Sequence, residues 1–92
     1  LMAVYVDTAR NRYRGMIMCH MLADTEAELH AMAALIGSRR EWFQRDASTP
    51  HYDIPLMRKE MAIARGAILA DRRQIVRLIR RIREQPETFW EG

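Results

Sequence analysis

Met16-Ile17-Met18-Cys19-His20-Met21-Leu22-Ala23-Asp24-Thr25-Glu26-Ala27-Glu28 carries the two signals on which the fold turns. From Met16 to Leu22 the run is almost unbroken apolar and short, which reads as a buried central strand rather than a helix. Thr25-Glu26-Ala27-Glu28 is a capping box, in which threonine and glutamate side chains satisfy the free amides of a helix start. A strand therefore feeds directly into a helix. That helix continues through Leu29, Met32, Ala33 and Ile36 at i, i+3, i+4 and i+7 spacing, and Gly37 stops it.

Working outward, Ala3-Val4-Tyr5-Val6 is β-branched and aromatic and predicts a strand ending at Asp7. The stretch 8–15 is polar, holds Asn11 and Gly15, and reads as a loop bearing Arg10, Arg12 and Arg14. Downstream, Glu41-Trp42-Phe43-Gln44 predicts a short strand and 45–50 a loop. His51-Tyr52-Asp53 is expected to open a second helix, with Asp53 or Ile54 near its cap and Pro55 in its first turn. Leu56, Met57, Met61, Ala62 and Ala64 follow, and Gly66 ends that helix. Ala67-Ile68-Leu69-Ala70 predicts a strand. Asp71 then caps a third helix over about 71–85, ended by Pro86. Its apolar stripe is Ile75, Val76, Leu78, Ile79 and Ile82, with arginines around the outside. Strands alternating with helices predict one small α/β domain, a sheet of three to four short strands packed by about three helices. The motif-bearing core is 2–70, followed by the basic amphipathic helix and a short tail, 86–92.

The size and composition agree with that expectation. Ninety-two residues, 49% apolar and 29% charged, suit a single globular domain and argue against disorder. So small a chain buries about 60–65% of its unfolded surface, so a homo-oligomer is expected to help its core. No apolar run approaches the ~20 residues of a membrane span. No leader pattern opens the chain, and Met2 reads as its natural start. One cysteine, Cys19, allows no internal disulfide and suits a reducing cytoplasm. The net charge of +3 is uneven. Between 58 and 83, nine basic residues face only Glu60 and Asp71, which leaves that stretch at +7 and the remainder at −4. All the basic residues but Lys59 are arginine, whose planar fork suits phosphates and carboxylates. A solvated helix face, or pairing with Glu84 and Glu87, is the ordinary explanation of the charge on the third helix.

All three histidines stand near acidic residues: Cys19-His20 before Asp24, Glu28-Leu29-His30, and His51-Tyr52-Asp53. Histidine titrates closest to neutrality and serves proton transfer, metal ligation and phosphate contact. Asp7, at a strand end, is placed where α/β sheets commonly face a ligand crevice. Asp24 beside a helix start needs no more than the favourable field there. His30 borders the apolar stripe of its helix, from which it can look into the pocket or pack against Trp42, and packing is expected. Trp42 and Phe43 are expected in the core, whereas Gln44 has no core reason to follow them and suits a base or sugar. His51-Tyr52-Asp53 at a helix start would meet an anion through free amides.

Val4-Tyr5-Val6-Asp7, Cys19-His20-Met21-Leu22-Ala23-Asp24-Thr25, Glu28-Leu29-His30, Trp42-Phe43-Gln44, His51-Tyr52-Asp53 and Gly66-Ala67 together resemble the pattern of the domain of unknown function 4031 family. Members are small bacterial and phage proteins, so the resemblance implies a host cytoplasm for a phage-encoded member, and no activity to carry over. Where members usually show Lys-Arg after His-Tyr-Asp, this chain has Arg58-Lys59, which keeps two cations for a phosphate.

Three chemistries follow from these residues. His20 and His51 can act as general base and acid on a phosphodiester, with Arg58 or Lys59 offsetting charge on phosphate. Alternatively Asp7, His20, His51 and Asp53 collect a divalent metal. Or the same groups hold a signalling nucleotide without cleaving it, with arginines and Tyr52 or Trp42 supplying the phosphate and base contacts. The Arg-rich helix offers a different class again, docking on an acidic partner or on nucleic-acid phosphate. No Gly-rich phosphate loop, nucleophile elbow or zinc-ribbon spacing is present. The expected partner is a nucleotide or nucleic acid, with His20, His51 and Asp53 at the reacting centre.

Overall fold

The computed structural model describes residues 3–85. Its spine is the run from Met16, which forms strand β3, Met16–Ala23. Three strands pair antiparallel with it: β1, Val4–Val6; β2, Asn11–Tyr13; and β5, His51–Pro55. β4, Phe43–Gln44, adds to the outer side of β5, and β6, Ile68–Leu69, runs parallel to β1. The mixed sheet has six strands in the order β4-β5-β3-β1-β6, with β2 on the first half of β3. That is more than the expected three to four.

Both extra strands have local physical causes. Arg14 (φ 50°) and Gly15 (φ 80°) are both left-handed, and Tyr13 pairs with Met16 across them. This two-residue turn has the twist that closes a hairpin, so part of the expected loop 8–15 is a strand. The exposed β2 carries no apolar alternation that would mark it. His51-Tyr52-Asp53 does not open a helix. It lies in β5, where Tyr52 and Ile54 are fully buried and His51, Asp53 and Pro55 alternate with them. Pro55 then caps α2, Leu56–Ala64. Of the expected strand 41–44 only β4 is extended, because Arg40–Trp42 form a single 3-10 turn.

α1, Glu26–Leu35, starts at Thr25, whose hydroxyl accepts from the Glu28 amide at 3.3 Å. α1 and α2 cover one sheet face. There Leu29, Met32, Ala33, Ile36 and Ala62 pack on Val4, Val6, Cys19, Met21, Tyr52 and Ile54. Burying each of the larger aliphatic side chains among them is worth about 1.5–3 kcal/mol. α3, Arg72–Arg83, begins with a complete capping box between Asp71 and Gln74. It lies on the opposite face, where Leu78 and Ile82 pack with Ile75 and Ile79 against Leu22 and Tyr5. Val76 stands outside this stripe and is half-exposed, being off the i, i+3, i+4, i+7 line of the others.

Arg81 is half-exposed among the other arginines of α3, but its guanidinium turns back to the sheet. It donates to the Asp24 carboxylate at 2.6 Å and to the Tyr5 hydroxyl at 3.0 Å. Asp24 also accepts from the Ala3 amide, so this buried carboxylate ties β1, the end of β3 and α3 together. Pro86, the tail 86–92, and any pairing with Glu87 fall outside the described residues. Among the described residues, no helix is long and apolar enough to cross a membrane.

Candidate functional site

Strand alternation builds the site. On β3, Cys19 and Met21 face α1 and α2, so His20 between them faces the other side, where α3 covers only the Leu22 end. His20 pairs in register with Asp53 on β5, and His51 on β5 pairs with Gln44 on β4. The uncovered part of this face therefore carries His20, His51, Asp53 and Gln44. The two imidazoles meet edge to face with centroids 5.1 Å apart.

Each imidazole is held from behind. His20 Nδ1 donates to Asp7 Oδ2 at 2.7 Å, while Asp7 Oδ1 accepts from the His20 amide at 2.8 Å and the Ala9 amide at 3.2 Å. Burial by itself would raise the Asp7 pKa, but the hydrogen bonds and charge of His20 outweigh it and hold the carboxyl below its ordinary range. The same hydrogen bond raises His20, against the opposing effect of burial, and the charges of Asp7 and Asp53 add to the rise. His51 Nδ1 donates to the Thr49 carbonyl at 2.8 Å. Because both Nδ1 atoms face pure acceptors, they carry the protons in the neutral rings, and each Nε2 presents a lone pair. Both Nε2 atoms face Asp53 Oδ1, at 3.7 Å from His20 and 3.3 Å from His51. One donor atom from each of these three residues lies within 4.8 Å of the others, so together they could hold a divalent metal.

Above this floor is an open groove of about 700 Å³. Arg12, Tyr13 and Arg14 of the β2–β3 hairpin form one wall, and Trp42 and Arg58 stand across from them. A smaller cavity of about 270 Å³, between Asp7, His20, His51 and the α3 residues Ile75 and Ile79, adjoins the same histidines.

The remaining candidates divide plainly. Gln44 lines the groove, with its amide toward the Trp42 carbonyl at 3.5 Å. Arg58 also lines it, but its guanidinium already donates to the Ile36 carbonyl at 2.9 Å, closing the C-terminus of α1. Tyr52 is not in the groove. It is buried on the helix-covered face, where its hydroxyl meets His30 Nδ1 at 2.7 Å. Lys59 is on α2, where its charge acts on Cys19, and it does not line the groove. Trp42, expected in the core, is half-exposed at the groove rim, while Phe43 packs on the core and on His30. Sequence reasoning did not assign Arg12 and Arg14 to the site; the signal was Arg14-Gly15 itself, a hairpin turn read as loop. Cys19 is buried behind the floor, and burial pushes its thiol up to about 11, so it is no nucleophile for this groove.

His30 forms a second polar cluster, within the core. Its Nε2 lies 3.3 Å from Glu26 Oε2 but out of line for a hydrogen bond, and the atom is buried without one. Burial, and then the charge of Arg40, lower its pKa.

A compact mixed α/β domain with two back-supported histidines and a carboxylate on its uncovered sheet face is the class that fold and site define. The chain belongs to the family described as "Protein of unknown function (DUF4031)", whose model matches residues 4–82. No curated protein and no solved structure matches it.

Proposed function

We propose that the groove binds a phosphate-bearing nucleotide or nucleic acid and that His20, His51 and Asp53 cleave its phosphodiester bond. The observation that carries this reading is the pairing of an Asp-supported histidine centre in the floor with arginines and an exposed indole in the walls. Arginine forks match phosphate oxygens, and tryptophan offers a base a stacking face. Phosphoryl transfer asks the protein for positioning, charge neutralisation and an activated oxygen nucleophile. A histidine pair supplies the last either by moving protons or by holding a metal. Self-association belongs to the same reading, since Ile68 and Leu69 of the edge strand β6 are exposed. A reducing, cytoplasmic setting suits the single cysteine.

The test is incubation with cyclic and linear dinucleotides and with single-stranded DNA and RNA, following binding and product together. We expect cleavage by the wild type and none by His51→Ala, whose melting temperature should fall by less than ~8 °C, since a half-buried side chain with one hydrogen bond to a carbonyl is lost. Tight binding without product would favour sequestration over cleavage. No binding to any of these ligands would overturn the reading.

A further inference from the structure

We infer that His20 Nε2, His51 Nε2 and Asp53 together bind one divalent transition-metal ion of the zinc class, with Asp7 and the Thr49 carbonyl orienting the two imidazoles. The inference shares its site with the phosphate-ester reading and rests on that reading for location only. Its own ground is the sign of the three donor atoms.

With both Nδ1 protons committed to Asp7 and Thr49, the two Nε2 lone pairs and the Asp53 carboxylate oxygen are all acceptors. Three acceptors converging with no donor among them repel unless a cation sits between them. Protons are a poor fit. Charge-assisted N–H···O bonds are about 2.7–2.9 Å long, whereas the Nε2–Oδ1 separations are 3.3 and 3.7 Å. A metal fits better. Bonds of about 2.0–2.1 Å around a tetrahedral ion place neighbouring ligand atoms about 3.3–3.4 Å apart.

The outer contacts follow the same pattern. Metal-ligating histidines characteristically donate the other ring N–H to a carboxylate or a backbone carbonyl, which fixes tautomer and ring orientation. Here one histidine has each kind of partner, at 2.7 and 2.8 Å. Asp7 is itself fixed by two backbone amides, so the support is rigid to a further shell. Two imidazoles and a carboxylate suit zinc or a neighbouring first-row ion better than magnesium or calcium, which prefer oxygen alone. Three protein ligands leave a position open, and the side chains of His20 and Asp53 are 34% and 41% exposed toward the groove. Water or a phosphate oxygen can take that place.

The test reads the metal and not turnover, so a protein that binds zinc and cleaves nothing leaves the inference standing while sinking the proposed activity. The full chain is stripped with EDTA, dialysed and titrated with zinc chloride by calorimetry, and separately with Co²⁺ by visible absorption. We expect one ion per chain and a tetrahedral or five-coordinate Co²⁺ spectrum without a thiolate charge-transfer band. Asp53→Asn, close to isosteric and partly exposed, should weaken zinc by more than the ~10–100-fold typical of outer-shell loss. His51→Asn should do the same, and both variants should melt in EDTA within ~8 °C of the wild type. Less than one ion per chain, zinc affinity unchanged in Asp53→Asn, or a thiolate band that puts the ion on Cys19 would each overturn it.

Discussion

Asp7→Asn tests the architecture of the site most sharply, because it changes one atom and reverses a proton. Asp7 Oδ1 accepts from two backbone amides, and an asparagine carbonyl keeps both of those bonds. Its NH₂ then takes the place of Oδ2, where it would confront the N–H of His20 Nδ1. The ring relieves this by moving its proton to Nε2, which turns the lone pair facing Asp53 into a donor. Folding loses only the difference between a charged and a neutral hydrogen bond, ~1 kcal/mol. That corresponds to a fall of ~4–8 °C in Tm for a domain of this size. Zinc affinity should fall much further in proportion, ~10–100-fold or ~1.4–2.8 kcal/mol. Calorimetry with zinc, beside thermal melts in EDTA, reads the two effects apart. An unchanged zinc affinity alongside a lowered Tm would refute the reasoning, since Asp7 would then merely brace the β1 end.

Three other outcomes follow from contacts away from the floor. Tyr52→Phe leaves His30 Nδ1 buried without its partner and should cost ~1–3 kcal/mol by urea unfolding, with zinc affinity unchanged because Tyr52 is on the other face. His30, held below its ordinary pKa of 6.5 first by burial and then by Arg40, is neutral in the fold. Protonation therefore favours the unfolded chain: its contribution is intact above pH 6.5 and is lost as pH falls from there through the lower folded value. Between pH 7.5 and 5 the wild type should lose more stability than His30→Gln; equal losses would refute this. Arg81→Ala should cost ~1 kcal/mol by releasing Asp24 and loosening α3, whereas outward-facing Arg77→Ala should stay within ~0.5 kcal/mol in the same melts.

How far the sequence was legible depended on whether a signal lay within one element. The buried run of β3, the Thr25 and Asp71 caps and the stripe of α3 are local and strong, and each element is present where its signal stands. β5 was misread because Pro55 after Asp53 mimics a helix start. The competing signal, His51 and Asp53 alternating with Tyr52 and Ile54, has period two and extends over five residues only. That error also put Tyr52 in the site, whereas a strand sends neighbours to opposite faces. Arg81 looked like any other arginine on a solvated face; its bond to Asp24 spans fifty-seven positions, beyond any local pattern. Residue type alone leaves Trp42 between core packing and base contact, and the 3-10 turn that carries it to the groove rim has no distinct sequence signal.

The alternation of Cys19, His20 and Met21 along β3 binds the fate of the groove to that of the core. One residue added or removed between Met16 and Cys19 shifts the rest of the strand by a step, or else breaks the pairing with β1, β2 and β5. The shift would turn an imidazole toward α1 and α2 and expose a thiol or a thioether in its place. Length can therefore vary in 45–47, ahead of the Thr49 carbonyl that holds His51, but not in this strand. Any variant recovered from random insertion that still folds should still carry its floor, and loss of one should arrive with loss of the other.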